Sequence, residues 1–230
     1  METWHLLEHG PCPPFWNMAC DEWLLKQAIR LDKPILRTYA WDRPSITFGY
    51  FQEFPAELAL RYTVVRRPTG GALVIHDTDL TFTVILPPTH PWRTLSPNDR
   101  YQRIHERIYT IFEIRGLTPT LISEDAPHLP TPSGRESAAS LCFTKSSRYD
   151  VVVNGAKVAG GAQRVTREGL LHQGSIQGER LQRVTASELC KAWETHGASF
   201  IHLRLALTEE EAITHMATTK HATEEWNRRL

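Results

Sequence analysis

Residues 62–86 read YTVVRRPTGGALVIHDTDLTFTVIL, and this stretch decides the fold class. It contains three runs rich in β-branched or alternating apolar residues, at 62–67, 73–76 and 80–86. A Pro-Thr-Gly-Gly segment and a short Asp-Thr-Asp segment separate these runs, and such punctuation predicts strands joined by turns. Because no helical pattern lies between the runs, their order disfavours a regular β-α-β alternation.

Further strands are predicted on both sides of this stretch. Residues 149–158 contain Asn154-Gly155, a dipeptide that strongly predicts a tight hairpin turn between two short strands. Other β-prone segments occur at 35–41, at 45–49, near Thr120 and at 170–176. Between 117 and 141 the chain otherwise predicts a long Pro-rich loop, and loops of that length are usually functional.

Helical patterns flank the strands. Asn17 can cap a helix over 17–31, and Ser96-Pro97 begins a second helix that ends at Gly116. Two C-terminal helices are predicted by capping boxes, which pair Thr185 with Glu188 and Thr208 with Glu211. We therefore predict an α/β (α+β) fold, with helices packed on a mixed, largely antiparallel sheet. We expect one domain over 1–230, with a helical C-terminal segment at about 180–230.

The composition excludes several classes of protein. The 26 Lys+Arg balance the 26 Asp+Glu, which argues against binding to nucleic acid or to an anionic membrane. Four widely spaced cysteines without a CxxC pair or a signal peptide predict reduced thiols in the cytoplasm. No apolar run approaches the roughly 20 residues that cross a bilayer. No metal-ligand spacing, Rossmann GxGxxG or P-loop motif is present.

The segment between the first two strands of the 62–86 stretch is a candidate ligand loop. Gly70 and Gly71 let a backbone approach a ligand closely, and exposed N–H groups there can bind a carboxylate, phosphate or oxyanion. Arg66 and Arg67 add charge and bidentate geometry. The alternative is an ordinary tight turn with solvated arginines, and the spacing alone does not decide between them.

Cys142 and Lys157 are a second candidate pair. A catalytic thiol needs a nearby cation or base to hold it as thiolate, because the pKa of a free thiol is about 8.5. Lys157 follows Cys142 by fifteen residues, just after the Asn154-Gly155 turn. Taken singly, a lone cysteine is usually an inert buried residue and such a lysine an exposed edge residue.

Lys157 is followed by small residues that can form a third element of a site. Gly160 and Gly161 can provide a floor for a flat or extended ligand, or can relieve crowding at a bulge. His76 and His172 are possible bases, although a single histidine is more often structural.

These motifs together resemble the lipoate–protein ligase and octanoyltransferase superfamily, which shares its catalytic fold with biotin–protein ligases. The resemblance covers about 160 residues in order. The matching residues are Asn17-Met18-Ala19 with Asp21-Glu22; Arg37, Trp41, Pro44, Gly49 and Gln52; Arg66-Arg67-x-Thr69-Gly70-Gly71 through His76; Cys142-Phe143; Gly155-x-Lys157-Val-Ala-Gly160-x-Ala-Gln163; and Gly174-Ser175-Ile176. Ala72 differs from the Gly or Arg usual there, and His172-Gln173 reverses the common Gln-His order.

The resemblance implies a site for an eight-carbon acyl chain. The residues that it places along the acyl or acyl-adenylate site are Arg67, Thr69, Gly70, Gly71 and Lys157. Cys142 stands where the cysteine-dependent octanoyltransferases have their nucleophile, and Asp79-Leu80-Thr81 resembles the transferase form. The resemblance therefore implies transfer of an octanoyl or lipoyl group from a carrier-protein thioester to a lysine of a lipoyl domain.

Two other functions remain open at this point. An ATP-dependent lipoate–protein ligase would use ATP and Mg²⁺, whereas the transferase needs no cofactor. A catalytically silent acyl- or carrier-binding protein would bind without turnover. The implied donor is an acyl carrier protein or an octanoylated lipoyl domain. The implied acceptor is the lipoyl domain of a glycine cleavage H protein or of a 2-oxoacid dehydrogenase E2.

Overall fold

The computed structural model describes residues 1–123, 147–177 and 183–229 of the 230-residue chain. Two sheets, packed by helices, make up the described structure. The strands are β1 (Glu2–Cys12), β2 (Ile35–Trp41), β3 (Ser45–Phe48), β4 (Thr63–Arg66), β5 (Val74–His76), β6 (Leu80–Leu86), β7 (Pro119–Leu121), β8 (Val151–Val153), β9 (Ala156–Val165), β10 (Leu170–Ile176) and β11 (Ala198–His202). The helices are α1 (Pro14–Leu31), α2 (Pro97–Ile114), α3 (Ala186–Thr195), α4 (Leu207–Met216) and α5 (Glu224–Asn227).

The large sheet has the strand order β11-β1-β2-β6-β10-β9-β8-β7. β1 pairs in parallel with both β11 and β2, and the other five pairings are antiparallel. The small sheet has the order β4-β3-β5, with β3 parallel to β4 and antiparallel to β5. The prediction of helices on a mixed, largely antiparallel sheet is confirmed.

The core lies on both faces of the large sheet. On one face, apolar residues of β6 and its neighbours pack against α2 and α3, with Phe82, Ile108 and Trp193 fully buried. On the other face, α1 covers the sheet with residues such as Leu24, which packs near Ile35. Helix α1 is buried over most of its circumference, so it is a central element between the sheet and the C-terminal helix α4.

Local signals placed several elements correctly. Asn154 and Gly155 have φ values of +53° and +74°, so they form the tight turn between β8 and β9 that the sequence predicts. Ser96 caps α2 by accepting a hydrogen bond from the Asp99 N–H. Thr185 and Glu188 form the predicted capping box of α3.

Other boundaries differ from the prediction. Helix α1 begins at Pro14, with Pro13 as its N-cap, so Asn17 lies inside the helix and is not its cap. Helix α4 begins one residue before Thr208, and its capping contact is from the Ala206 N–H to the Glu209 side chain. The C-terminal segment is not helical throughout, because β11 within it pairs with β1. Strand β1 itself was not predicted.

Candidate active site

One face of the large sheet changes from apolar to polar along three neighbouring strands. Side chains alternate between the faces of a strand, so every second residue of β2, β6 and β10 points to the α1 side. The cross-strand rows on this side are Ile35–Ile85–Leu171, Arg37–Thr83–Gln173 and Tyr39–Thr81–Ser175. The first row belongs to the apolar core, whereas the next two contain buried polar groups.

A cavity opens over the polar rows. Its empty volume, counted together with the open solvent at its mouth, is about 650 Å³. Of the predicted site residues, those that line it are Arg67, Gly71, His76, Lys157, Gly160 and Gly161. The polar and aromatic residues of the wall that were not predicted as site residues include Tyr39, Trp41, Thr47, Thr81, Gln173 and Ser175.

The Arg67 side chain fixes the shape of the loop that contains Gly70, Gly71 and Ala72, here called the glycine loop. Its guanidinium donates hydrogen bonds to the carbonyl oxygens of Gly70 (2.6 and 3.0 Å), Ala72 (2.6 Å) and Thr47 (3.2 Å). Burial lowers the pKa of Arg67 to about 10, and the group remains charged at neutral pH. Gly71 adopts a φ of +86°, where a side chain would be strained.

Arg66, the neighbouring arginine, does not line the cavity. Its guanidinium donates to the carbonyl oxygens of Tyr50 (2.7 Å), Gln52 (2.7 Å), Trp226 (3.0 Å) and Asn227 (2.9 Å). Arg66 therefore ties α5 to β4. Of the two candidate arginines, only Arg67 is placed to meet a ligand.

Gly49, at the end of β3, lies directly against the glycine loop. A Cβ at this position would lie 2.1 Å from the carbonyl oxygen of Gly71. The two backbones therefore touch where a side chain on Gly49 would separate them.

Asp21 of α1 is the centre of a buried network beneath the cavity. Its carboxylate accepts hydrogen bonds from Arg37 (2.6 Å), Tyr39 (3.0 Å), Thr83 (2.8 Å) and Gln173 (2.7 Å). Asp21 and Arg37 are fully buried, and a buried ion pair is retained only where such additional hydrogen bonds satisfy it.

Gln173 connects this network to the glycine loop. Its Nε2 donates to Asp21, and its Oε1 accepts a 2.7 Å hydrogen bond from the Thr69 hydroxyl. Both ends of the amide are therefore fixed. Thr69 anchors the loop from below and does not itself line the cavity.

Lys157 is oriented by a second buried carboxylate. Its Nζ lies 2.7 Å from Oδ2 of Asp150, whose Oδ1 accepts a 2.5 Å hydrogen bond from the Tyr101 hydroxyl. The Tyr101 oxygen in turn accepts a 2.8 Å hydrogen bond from the Gly161 N–H. A Cβ on Gly160 would lie 2.8 Å from the Lys157 Nζ, so the glycine leaves room for the ammonium beside the strand.

His76 lies in a third polar cluster. Its Nδ1 is 2.8 Å from Oδ2 of Asp79, and its Nε2 is 2.9 Å from the Thr47 hydroxyl. The ring stacks on Trp41, with centroids 4.1 Å apart and an interplanar angle of 20°. Oδ2 of Asp79 also accepts a 2.6 Å hydrogen bond from Ser175.

Comparison with known proteins identifies the family of this chain. The model of the lipoyl protein ligase A/B catalytic domain matches residues 13–182. The chain belongs to this family. The superfamily predicted from the sequence is thereby confirmed.

The curated relatives are octanoyltransferases by name. Octanoyltransferase LipM of Bacillus subtilis (strain 168) is 31% identical, and the match covers 98% of this chain and 98% of that protein. Octanoyltransferase LipM of Kyrpidia tusciae is 37% identical over 76% of this chain, which spans 66% of that relative. These matches confirm the prediction of an enzyme of the octanoyltransferase type.

Solved lipoate–protein ligases share the fold. The bipartite lipoate protein ligase of Thermoplasma acidophilum has a TM-score of 0.74 and 21% identity, over 99% of this chain and 97% of that chain. A lipoate-protein ligase A bound with ATP has a TM-score of 0.73 and 23% identity, over 99% of both chains. The predicted biotin/lipoate protein ligase-like architecture is confirmed at the level of the lipoate ligase fold.

His172, which was predicted as a site residue, does not line the cavity of this family member. It belongs to the opposite face of β10, and a Cβ on Gly161 would lie 2.5 Å from its Nε2. The ring packs against Phe82, Tyr101 and His105. Burial, followed by the charge of His105, lowers the pKa of His172 well below its usual value.

Cys142 lies outside the described residues, so its predicted role stays a prediction. The described cysteines are Cys12, Cys20 and Cys190. Burial raises the pKa of Cys20 and of Cys190 to about 12, and it also raises the pKa of Cys12. None of these three thiols lines the cavity, and each is disfavoured as a thiolate.

Within residues 1–123, 147–177 and 183–229, no cluster of three or more His, Cys, Asp or Glu side chains is arranged to hold a metal ion. The helices in the same ranges are all too short or too polar to cross a membrane.

The unpredicted site residues have different sequence signals. Gln173 was marked by the reversed His172-Gln173 order, and Asp150 directly precedes the Val151–Val153 strand. Thr47 lies in the alternating strand β3, where its polarity among apolar neighbours is a weak signal. Tyr101 is one of the buried residues on the inner side of α2. Its position carries no sequence signal of a site, since a buried tyrosine is ordinary in a core.

Proposed function

We propose that this enzyme moves an octanoyl group from a carrier-protein thioester to a lysine of a lipoyl domain, through an acyl-Cys142 intermediate. Relatives named octanoyltransferases at 31% to 37% identity support octanoyl transfer. The observation that carries the proposal is the Lys157 ammonium, which Asp150 fixes on the wall of the cavity that also includes Arg67 and Gly71.

In the first half-reaction, the Cys142 thiolate attacks the thioester carbonyl carbon. A carbon–sulfur bond forms to Cys142, the bond to the carrier sulfur breaks, and the carrier leaves as a thiolate that takes up a proton. Lys157 favours the ionised form of Cys142, because a nearby cation stabilises a thiolate. Fixed positive charge and N–H groups also stabilise the oxyanion that develops on the carbonyl oxygen.

Two segments are candidates for the oxyanion site, Gly160-Gly161 and the glycine loop, and the glycine loop is the better of the two. The Gly161 N–H already donates to Tyr101, so it is engaged elsewhere. In the described structure, the backbone N–H groups of Gly71 and Ala72, which line the cavity, donate no hydrogen bond to the protein, whereas Gly70 does not line the cavity. Unpaired N–H groups next to a buried guanidinium form a concave site for negative charge.

The acyl tail is uncharged and fits an apolar part of the same cavity. Met18, Trp41, Val74 and Ala162 contribute apolar surface to the wall. Burial of a methylene stabilises a complex by about 0.8 kcal/mol, so a chain of eight carbons gains enough to distinguish it from a short acyl group.

In the second half-reaction, a lysine amine of the acceptor attacks acyl-Cys142. We propose a lipoyl domain of a glycine cleavage H protein or of a 2-oxoacid dehydrogenase E2 as acceptor. An acyl carrier protein or an already octanoylated lipoyl domain serves as donor. The reaction takes place in the cytoplasm, where a reducing environment keeps Cys142 a thiol, and it needs no cofactor.

Intact-mass measurement tests the covalent step. The protein is incubated with octanoyl-carrier and with no acceptor, and we expect one octanoyl adduct on wild type and none on Cys142→Ala. Cys12→Ser is the matched control, because Cys12 is a half-buried thiol outside the cavity, and it should acquire the adduct. Equal adducts on wild type and on Cys142→Ala would contradict the proposal.

The two other functions are separated by their products. Pyrophosphate release on adding lipoate, ATP and Mg²⁺ would indicate a ligase that activates lipoate as an adenylate. Binding of octanoyl-carrier without acyl transfer to any lipoyl domain would indicate a silent binding protein. The proposed transferase should octanoylate a lipoyl domain without ATP.

A further inference from the structure

Three side chains form a hydrogen-bonded line that leads from the cavity into the protein. Thr47 Oγ1 lies 2.9 Å from His76 Nε2, and His76 Nδ1 lies 2.8 Å from Asp79 Oδ2. Thr47 and His76 line the cavity, whereas Asp79 does not. The order hydroxyl, imidazole, carboxylate is the one that moves a proton away from a reacting group in hydrolases.

The partners of Asp79 fix the direction of these hydrogen bonds. Burial raises the pKa of Asp79, but His76 and the hydroxyls of Ser175 and Thr81 outweigh it and lower the pKa overall. The Asp79 carboxylate therefore accepts a hydrogen bond from the Nδ1–H of His76. His76 Nε2 is then left as an acceptor, and the Thr47 hydroxyl donates to it.

The Thr47 oxygen retains the capacity to accept a hydrogen bond on its cavity side. One of its lone pairs faces Arg67, whose Nη1 is 3.3 Å away. The other has no hydrogen-bond donor among the described residues, and Thr47 is one of the residues that line the cavity. An ammonium group of a substrate is such a donor, since it has N–H bonds and no lone pair.

The second half-reaction requires a base that the proposed function has not supplied. A lysine amine has a pKa of about 10.4 in water, so the acceptor arrives as an ammonium that cannot attack a carbonyl. Lys157 Nζ lies 2.7 Å from the Asp150 carboxylate, and the proposed function uses it to stabilise the Cys142 thiolate. A second group must take the proton.

We propose that Thr47, His76 and Asp79 are the proton relay that activates the acceptor lysine. This inference rests on the proposed function. The ammonium gives a proton to Thr47 Oγ1 while Thr47 gives its own to His76 Nε2. The freed nitrogen lone pair forms the amide carbon–nitrogen bond. The bond between the acyl carbon and the Cys142 sulfur then breaks, and its electron pair stays on sulfur. The sulfur takes the second proton that the attacking nitrogen must lose to become an amide nitrogen. The imidazolium releases its proton to solvent.

The surroundings of His76 suit a ring that becomes charged in turnover. Trp41 stacks on it, and an aromatic face attracts a cation. Among the described residues, the charged groups facing this cluster are Asp79 on its own turn, Arg67 through Thr47, and Lys157 of β9, which lines the same cavity. Trp41 and Ser175, from β2 and β10, bring no charge.

Single-turnover measurements on preformed octanoyl-enzyme test the relay. Octanoyl-enzyme of wild type and of His76→Gln is mixed with a lipoyl domain or with hydroxylamine, which is a neutral nucleophile at pH 7. We expect His76→Gln to slow transfer to the lipoyl lysine by about 10²–10⁴-fold, the usual contribution of a general base. The loss with hydroxylamine should be far smaller. Transfer to lysine should recover as the pH rises towards that of the free amine.

Two matched variants at Thr47 test the relay independently, in case His76→Gln folds poorly. Thr47→Val keeps the shape and removes the hydroxyl, and it should slow lysine transfer selectively. Thr47→Ser retains the hydroxyl and should restore most of the rate. Equal losses with both nucleophiles, or equal rates for Thr47→Val and Thr47→Ser, would overturn the relay alone. Absence of an octanoyl adduct on wild type would overturn the proposed function and the relay with it.

Discussion

The two faces of strands β2, β6 and β10 have the same backbone and opposite chemistry. Towards α2 and α3, residues such as Leu36, Phe82 and Val84 form an apolar core. Towards α1, the alternate residues Arg37 and Thr83 contact the buried Asp21. A strand reverses its side chains at every residue, so adjacent positions in one sequence serve stability and the site separately.

The comparison teaches where this fold is sensitive to change. An apolar face tolerates substitutions that preserve volume. A buried polar network is stable only when every member is satisfied, so the loss of one group exposes several others. We therefore expect substitutions on the α1 side to affect stability and acyl transfer together, and those on the α2 side to affect stability alone.

The largest expected effect is at Asp21. Asp21→Ala leaves Arg37 buried without its carboxylate, and we expect a loss of about 3–5 kcal/mol in the free energy of unfolding, measured by urea denaturation. Ile108→Val, in the apolar face, is the control and should cost about 0.5–1.5 kcal/mol. Equal costs would show that the two faces do not differ as described.

Gly161→Ala tests a residue that belongs to both faces, because Gly161 lines the cavity and a Cβ on it would point at His172 on the α2 side. The new Cβ would lie 2.5 Å from His172 Nε2 and 2.9 Å from the Gln173 carbonyl oxygen. We expect overpacking to cost about 1–3 kcal/mol and octanoyl transfer to fall as β9 shifts beside the cavity. Gly10→Ala is the control, because a Cβ there meets no atom within 4 Å. Unchanged activity and stability in Gly161→Ala would contradict the close approach.

The buried histidines of the α2 side predict a pH dependence of stability. Burial, followed by the charge of Lys157, lowers the pKa of His105 to about 3, from about 6.5 in the unfolded chain. The unfolded state thus binds more protons between these values, and stability is lost as the pH falls through this window. Each such histidine contributes up to about 1.4 kcal/mol per pH unit. Urea denaturation of His105→Phe from pH 6.5 to 5 should show a shallower slope than wild type, and equal slopes would refute the assignment.

The smallest expected effect is at the cap of α3. Thr185→Ala removes the acceptor for the Glu188 N–H and should cost about 1 kcal/mol, with no change in octanoyl transfer per folded molecule. Thr195→Ala, at the other end of the same helix, loses only an exposed hydrogen bond to Lys191. Thr195→Ala should therefore lower the free energy of unfolding by less than Thr185→Ala does, as measured by thermal denaturation. A larger loss in Thr195→Ala than in Thr185→Ala would contradict the capping role of Thr185.

Local chemistry explains which parts of the fold could be predicted. The Asn154-Gly155 turn, the Ser96 cap and the Thr185 capping box each depend on residues close in sequence, and the structure contains all three. The start of α1 was also encoded locally, because Pro13-Pro14 is typical of a helix N-terminus. The prediction that Asn17 caps α1 is wrong, because the Pro13-Pro14 signal lies before it and Asn17 is inside the helix.

Long-range pairing explains what could not be predicted. Strand β1 lies between β2 and β11, and its pairing with β11 joins residues almost two hundred positions apart. The line from Thr47 to His76 likewise joins residues of two strands whose register no local pattern specifies. Among the site residues, the resemblance marked Lys157 and Arg67, which line the cavity, but His172 lies on the other face of β10. A shift of one residue in a strand decides between these outcomes.

The contact between Gly49 and Gly71 limits how the cavity can evolve. Because the two main chains touch, any side chain at Gly49 would collide with the carbonyl group of Gly71 and displace the glycine loop. A new acyl preference therefore cannot be reached by a first substitution at Gly49. Val74 and Ala162 also line the cavity, and there larger or smaller side chains change the space for the acyl chain. Directed evolution of chain-length preference should therefore accumulate changes at Val74 and Ala162 while Gly49 and Gly71 stay fixed.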